Sequence, residues 1–482
     1  MYRHAFYVSG GSATRYWHFQ GPVRHLGGVH RPVTSRCVSV LGGYVGVSYR
    51  RCIGTTAEGQ GTENSNKKLP FIAMSSGSGT TRQADDSAEG TTTRLYRYVL
   101  ENHHRLGLYT LCGYLERLCQ ANLADIEVRN LLRLKLLDNL EEVNSPVVMG
   151  RVLYLLNKCP SMDDEFFVMI TNHIYRNRLY PNGDVPQSWC RYFKFIGDNR
   201  LYHRPLLEVM CRNFYAYLIA YMERGRTAFS RRMQESVAIA SWALAITAPD
   251  LPLQQLFTLM LRFAGIPGVE RSVVIRVYWG AAVRNQGLER MELPLIARVL
   301  SETLFSSPVG NRHKSHLHQI YTTLRCLNLA GIDDEGLADR CLESLHKLRY
   351  GYNDSKISTS HRYVSDVLVR LGVPHKVELL TPDLLSIDIA IEGGGERIAL
   401  EVDGPVHFTR VCDGSESATP MRTGPTKMKQ AFLKWTGWYV LSVPPIKLDY
   451  NVDLTTAIAS VDLHYKRLLM GSGSAYLSKL LT

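Results

Sequence analysis

No run of about 18 apolar residues occurs anywhere in the 482 residues, so the sequence offers no hydropathic transmembrane helix. Ten cysteines are present, but none forms a CxxC pair and no Cys/His set has zinc-ligand spacing. In so long a chain, cysteines scattered in this way point to buried reduced thiols, not to a disulfide framework or a zinc module. A glycine-rich nucleotide loop and an HRD-type catalytic motif are also missing, which removes kinase chemistry. The sharpest absence is local. Residues 1–57 contain no Asp, Glu or Lys, yet they carry seven arginines, and the first acid is Glu58. An acid-free, Arg-rich leader has the pattern of an organellar transit peptide, with processing expected shortly after Arg50-Arg51. The formal net charge is +12 and would fall to about +5 without those arginines. Bulk charge still favours a polyanionic partner, nucleic acid before an anionic membrane surface, but less than it first suggests.

With 45% hydrophobic and 21% charged residues, most of the chain is expected to be globular. Residues 58–92 are rich in Gly, Ser and Thr and read as a disordered linker. From 93 to 350 apolar residues recur three and four apart, interrupted by "PNGDVP", "APDLP", "GIPG" and "SSPVG". A faint repeat is visible: Trp242 and Trp279 open similar stretches 37 residues apart. That spacing suits helix–turn–helix units stacked into a solenoid-like array, the alternative being one irregular helical domain. Trp242 and Trp279 are expected to pack between helices. Asp163-Asp164-Glu165 and Asp333-Asp334-Glu335 stand where helices begin and are expected to cap them. His103-His104 falls on a predicted helix without partner ligands and reads as structural.

The character changes from Ser360. "HRYVSDVLVRLG" predicts a helix with Val364, Val367, Leu368 and Leu371 on one face, ended by Gly372. Then "LLSIDIAIE" and "ERIALEVDG" alternate with period two around a glycine turn. Pairing Glu392 with Arg397 sets Ile391 on Ile398, Ile389 on Leu400 and Ile387 on Val402, and a slip of one residue would ruin every pair. The same register brings Asp388, Glu401 and Asp403 to one face. Like charges so placed destabilise a sheet unless a divalent metal, a lysine or a shared proton compensates. "GPTKMKQAFLKWTG" predicts a helix opened by Pro425, with Met428, Ala431, Phe432 and Trp435 as its buried stripe. Lys427, Lys429 and Lys434 lie off that stripe, with Arg422 just before it. "WYVLSVPP" predicts the last strand, and a tail helix is expected near 454–470.

At "DIAI" (388–391), "IALEVDGPVHF" (398–408), "GPTKMK" (424–429) and "GWYVLSVP" (437–444) the chain resembles the RAP domain, a C-terminal module of organellar RNA-associated proteins. In layout it also resembles the FAST kinase-like and heptatricopeptide-repeat proteins. The resemblance implies a module of restriction-endonuclease-like, PD-(D/E)xK fold over 360–450, close to the very short patch repair type, followed by a C-terminal helix and tail over 451–482. Carried over, Asp388 matches the first metal-binding acid and Glu401 the second. The usual lysine position holds Asp403, so Lys427 or Lys429 would have to reach in from the helix, or His407 would serve as base.

These residues set the expectations. The fold is mostly α, with a C-terminal α/β module. Together with the transit-peptide pattern, the resemblance implies a mitochondrial matrix RNA-binding protein, a plastid-type organelle being the alternative. It would act on organellar mRNA or rRNA in processing, stability, rRNA metabolism or translation. His407, Phe408, Arg422, Lys427, Lys429 and Lys434 would contact RNA, and no cofactor is required. One alternative is an endoribonuclease holding Mg²⁺ on Asp388, Glu401 and Asp403. Another is a structural subunit or assembly factor of the organellar ribosome, in contact with ribosomal proteins.

Overall fold

The three- and four-residue apolar spacing folds into a series of helices. The computed structural model describes residues 84–121, 126–157, 163–183, 185–224, 230–305, 311–348, 357–370, 372–393, 396–413 and 420–443. All of them fall within one unit, Gly79–Thr482. The expected transit segment, most of the linker and the 451–482 tail lie outside the described residues. So do Leu371 and the side chain of Val367.

Helix α1 (Ala84–Asn102) corrects the linker boundary, because it begins inside the stretch read as disordered. Its C-terminal half anchors it through the buried Val99, and the Gly/Thr-rich turns extend that anchor backwards. His103 and His104 then lie in a short 3-10 helix, His103–Arg105, that follows α1. There follow α2 (Leu108–Gln120), α3 (Ile126–Asn139), α4 (Pro146–Leu156), α5 (Asp164–Arg176) and α6 (Pro186–Asn199). After a short strand β1 (Leu201–Tyr202) come α7 (Arg204–Glu223), α8 (Arg231–Thr247), α9 (Gln254–Ala264) and α10 (Arg271–Val283). The series ends with α11 (Leu293–Phe305), α12 (Asn311–Leu329) and α13 (Leu337–Lys347). Prolines stand in the first turn of α4, α6 and α7, where the missing N–H is harmless.

The acidic triplets cap as expected. Asp163 accepts the Phe166 N–H at 2.8 Å, and Asp334 accepts those of Gly336 and Ala338 ahead of α13. Among the described residues no helix is long and apolar enough to cross a membrane. None of the seven described cysteines is in a disulfide.

Helices α4, α6, α8, α10 and α12 pack in succession, while α7 touches α5 and α9. Glycines of α6 and α10 that face α8 allow this. A Cβ on Gly280 would lie 2.2 Å from Ser241 Oγ, and one on Gly197 would lie 2.4 Å from the Trp242 ring. Trp242 therefore packs α8 against α6, and Trp279 is buried in α10.

The C-terminal module is a four-stranded sheet between two helices. Its elements are α14 (Thr359–Arg370), β2 (Lys376–Leu380), β3 (Ser386–Gly393), β4 (Glu396–Val402), β5 (Arg410–Val411), α15 (Gly424–Trp435) and β6 (Tyr439–Val443). The sheet order is β2-β3-β4-β6, with β6 parallel to β4 and the other pairs antiparallel. On one face Val364 and Leu368 of α14 cover Ile389, Ile398, Leu400 and Val402. On the other face Leu433 of α15 covers Ile387, Ala390 and Ala399.

The module is fixed to the helices by main chain. Strand β5 pairs in parallel with β1, outside the main sheet. At the start of α15, a Cβ on Gly424 would stand 2.0 Å from the Ala245 carbonyl oxygen of α8. Only glycine permits that approach.

Candidate functional site

The acidic hairpin forms in the expected register at Glu392–Arg397, Ile391–Ile398 and Ile389–Leu400. It departs at the last expected pair. Ile387 lies on the α15 face and Val402 on the α14 face. The cause is Asp388, whose Oδ2 accepts the Val402 N–H at 2.7 Å and so replaces a ladder bond with a side-chain bond. Opposite it on β2, Glu378 has φ +53°, rare for a residue with a side chain. The kink at Asp388 and Glu378 turns β3 away from β4, which continues alongside β6.

The three expected acids thus go to different partners. Glu401 is 3% exposed, and its Oε2 accepts from Lys429 Nζ, while its Oε1 has no hydrogen-bond partner among the described residues. Burial pushes the Glu401 carboxyl up to about 7 against the pull of Lys429, and the charges of Asp388 and Asp403 push the same way. Asp403 is 2% exposed and takes Arg422 Nη2 on Oδ2 at 3.2 Å. Asp388 faces neither of these cations. It turns to His361 of α14, whose Nε2 lies 3.6 Å from Asp388 Oδ2 and whose Nδ1 lies 2.8 Å from Glu378 Oε1.

The expected RNA contacts are similarly sorted. Lys429 is the helix lysine that reaches the acids, whereas Lys427 pairs with Asp250 at 2.7 Å across the seam to the helices. Arg422 covers Asp403 and also lies 6.0 Å over the Phe408 ring. His407 is half-buried, with Nδ1 3.4 Å from Thr426 Oγ1 and 4.0 Å from Asp403 Oδ1. Burial lowers its pKa, Asp403 resists that shift, and Lys429 and His361 reinforce it. Lys434 is exposed. Of the expected contact residues, Lys427, Lys429 and Arg422 are thereby engaged within the chain.

His361 and Glu378 were not legible as site residues. His361 opens a helix that reads as amphipathic, and Glu378 is one polar residue in a short strand. Nothing in their spacing joins them, because the kink that brings Glu378 round is a backbone event.

A second concave surface lies on the helices. A cleft of about 250 Å³ runs across α2, α4, α6 and α8. Gln120, Asn157 and Gln187 line it together with Arg191, Lys194 and Arg232 and with the carboxylates Glu116 and Glu235. Asn157 donates to Asp198 and accepts from Asn199, so Gln120 and Gln187 are the amides left to face a ligand. The Arg191 guanidinium sits 5.5 Å over the Tyr154 ring and donates to Glu116 Oε1 at 2.9 Å. Lys194 Nζ is 5.7 Å from the Trp242 ring centroid and 2.8 Å from Asp198. Amides supply paired donors and acceptors of the kind base edges need, and cations beside rings can hold phosphate and stacked bases together.

No protein-family model matches the chain, and no curated protein matches it.

Proposed function

We propose that the chain is a mitochondrial RNA-binding protein of RAP-domain type, with the helices arranged as a helical-repeat array that carries the RNA contact. The observation that carries this reading is the cleft across α2, α4, α6 and α8, where the amides of Gln120 and Gln187 stand beside Arg191, Lys194 and Arg232. The role that fits is single-stranded RNA recognition in organellar RNA processing, stability, rRNA metabolism or translation. The C-terminal module then serves as a non-catalytic scaffold, since its two most buried acids already have Lys429 and Arg422 as counter-charges. The test is binding of single-stranded RNA to the purified chain across a salt series. A steep loss of affinity with rising salt is expected, and absent or salt-independent binding overturns the reading.

One observation favours the endoribonuclease as a second reading: Lys429 stands beside Glu401, near where a nuclease of this type would need a lysine. RNA cleavage with Mg²⁺ that is lost in Asp388→Ala and Glu401→Ala would establish it. Cleavage that survives both substitutions would place the activity elsewhere.

A further inference from the structure

The kink at β2 and β3 leaves a group that the RNA-binding reading does not use. His361 points its two ring nitrogens at two carboxylates, Glu378 on one side and Asp388 on the other. Each of the three side chains is mostly buried but open to solvent, at 15%, 17% and 14% exposure. An ionised carboxylate can only accept, so the 2.8 Å contact with Glu378 puts the His361 proton on Nδ1. In neutral imidazole, Nε2 then presents its lone pair toward Asp388 Oδ2. At 3.6 Å these two atoms are beyond hydrogen-bond range.

That separation has a metrical meaning. With ligands at about 2.0–2.2 Å, a tetrahedral zinc centre sets its ligand atoms roughly 3.3–3.6 Å apart. An octahedral centre at about 2.0–2.1 Å would bring neighbouring ligands to roughly 3 Å, closer than found here. Ligand atoms of all three residues lie within 4.8 Å of one another. A histidine that binds metal through one nitrogen and gives its other N–H to a carboxylate is the recurrent support of such centres. Glu378 has that place, and its strained backbone is what aims it.

We infer that His361 Nε2 and Asp388 bind a divalent transition-metal ion of the zinc class, with Glu378 orienting His361 from behind. This is not the Asp388–Glu401–Asp403 set expected from the sequence: Glu401 is held by Lys429 and Asp403 by Arg422. Two protein ligands leave coordination positions for oxygen donors such as water or a phosphate. The site adjoins the His407 corner, since the charges of His361 and Asp388 both act on His407.

Calorimetric titration of the full chain with Zn²⁺, paired with thermal unfolding at each Zn²⁺ concentration, tests this. The expected result is one Zn²⁺-dependent stabilisation that disappears in His361→Ala and Asp388→Asn. Glu378→Gln should weaken Zn²⁺ affinity about 10–100-fold, as loss of an orienting carboxylate does. Glu401→Gln, in an acid outside the set, should keep the affinity. Thermal unfolding without Zn²⁺ identifies any variant that fails to fold, and His361→Gln then replaces His361→Ala. No Zn²⁺ binding to the unaltered chain overturns the proposal, as does binding that survives His361→Ala. Binding lost in Glu401→Gln but kept in Glu378→Gln overturns it too, by placing the ion on the hairpin acids.

Discussion

At the scale of single residues, Glu401 shows how burial and charge compete. Lys429 is in contact with it, yet burial still carries the carboxyl up to about 7 from an ordinary 4.5. The folded state therefore keeps a proton that the unfolded chain has already released between those two values. The sign follows: Glu401's contribution is fully present below about pH 4.5 and is lost as pH rises through about 7. Lys429→Met sharpens the effect. A buried carboxylate without its cation costs about 3–5 kcal/mol while it stays charged, but it can escape part of that by taking a proton. Urea unfolding should show the variant only modestly destabilised near about pH 6 and destabilised by about 3 kcal/mol above about pH 8. In Glu401→Gln/Lys429→Met the pH dependence should vanish. An equal loss at both pH values would mean that Glu401 is not the group responsible.

At the scale of elements, the sequence was readable wherever one period governed. The alternation of Ile389, Ile391, Ile398 and Leu400 dictates one register, and the sheet adopts it. The last pair fails because a hydrogen bond from Val402 N–H to the Asp388 carboxylate outweighs the pattern, and hydropathy carries no sign of such a bond. Helix α15 shows a second limit. One buried stripe of Met428, Ala431, Phe432 and Trp435 was expected. Instead Leu433 enters the sheet core, Phe432 enters the helical core, Ala431 is exposed and Trp435 is 45% exposed beneath Arg325. A helix pressed between two partners buries two faces, and a single-stripe reading rotates it wrongly. The site residues divide in the same way. Asp388, Glu401, Asp403 and Lys429 were visible as chemistry, whereas His361 and Glu378 meet only through the kink. The glycine at the head of α15 supplies a prediction at this scale. Gly424→Ala drives a Cβ into the Ala245 carbonyl, a main-chain atom with little room to give. A loss of about 1–3 kcal/mol and faster hydrogen exchange in β5 and the first turn of α15 are expected. Gly404→Ala, where a Cβ meets nothing within 4 Å and φ is −79°, should be nearly neutral in the same measurements.

At the scale of the whole molecule, the proposed RNA contact has to be assigned among many cations. The module's own cations are poor candidates. Lys429 and Arg422 face buried acids, and Lys427 is tied to Asp250 at the seam. In the cleft, Arg191 is mostly buried and held by Glu116, so it serves better as a stacking surface than as a phosphate contact. Arg232 is exposed, and the Lys194 side chain, 45% exposed, pairs with Asp198 one turn along the same helix, so it can exchange that partner for a phosphate without opening the seam that Lys427 and Asp250 bridge. Each phosphate neutralised on a single strand contributes about 0.7 to the slope of log affinity against log salt. Lys194→Ala and Arg232→Ala should therefore each weaken RNA binding and flatten that slope by roughly 0.7, the double variant adding the two. Lys427→Ala should leave the slope unchanged and alter stability by less than about 1 kcal/mol, as an exposed pair does. If Lys427→Ala flattened the slope while Lys194→Ala and Arg232→Ala did not, the RNA path would run over the module and not along α2, α4, α6 and α8. The pairing of Lys427 with Asp250 would then have to open on binding, and Asp250→Ala would be expected to strengthen RNA affinity by releasing that cation.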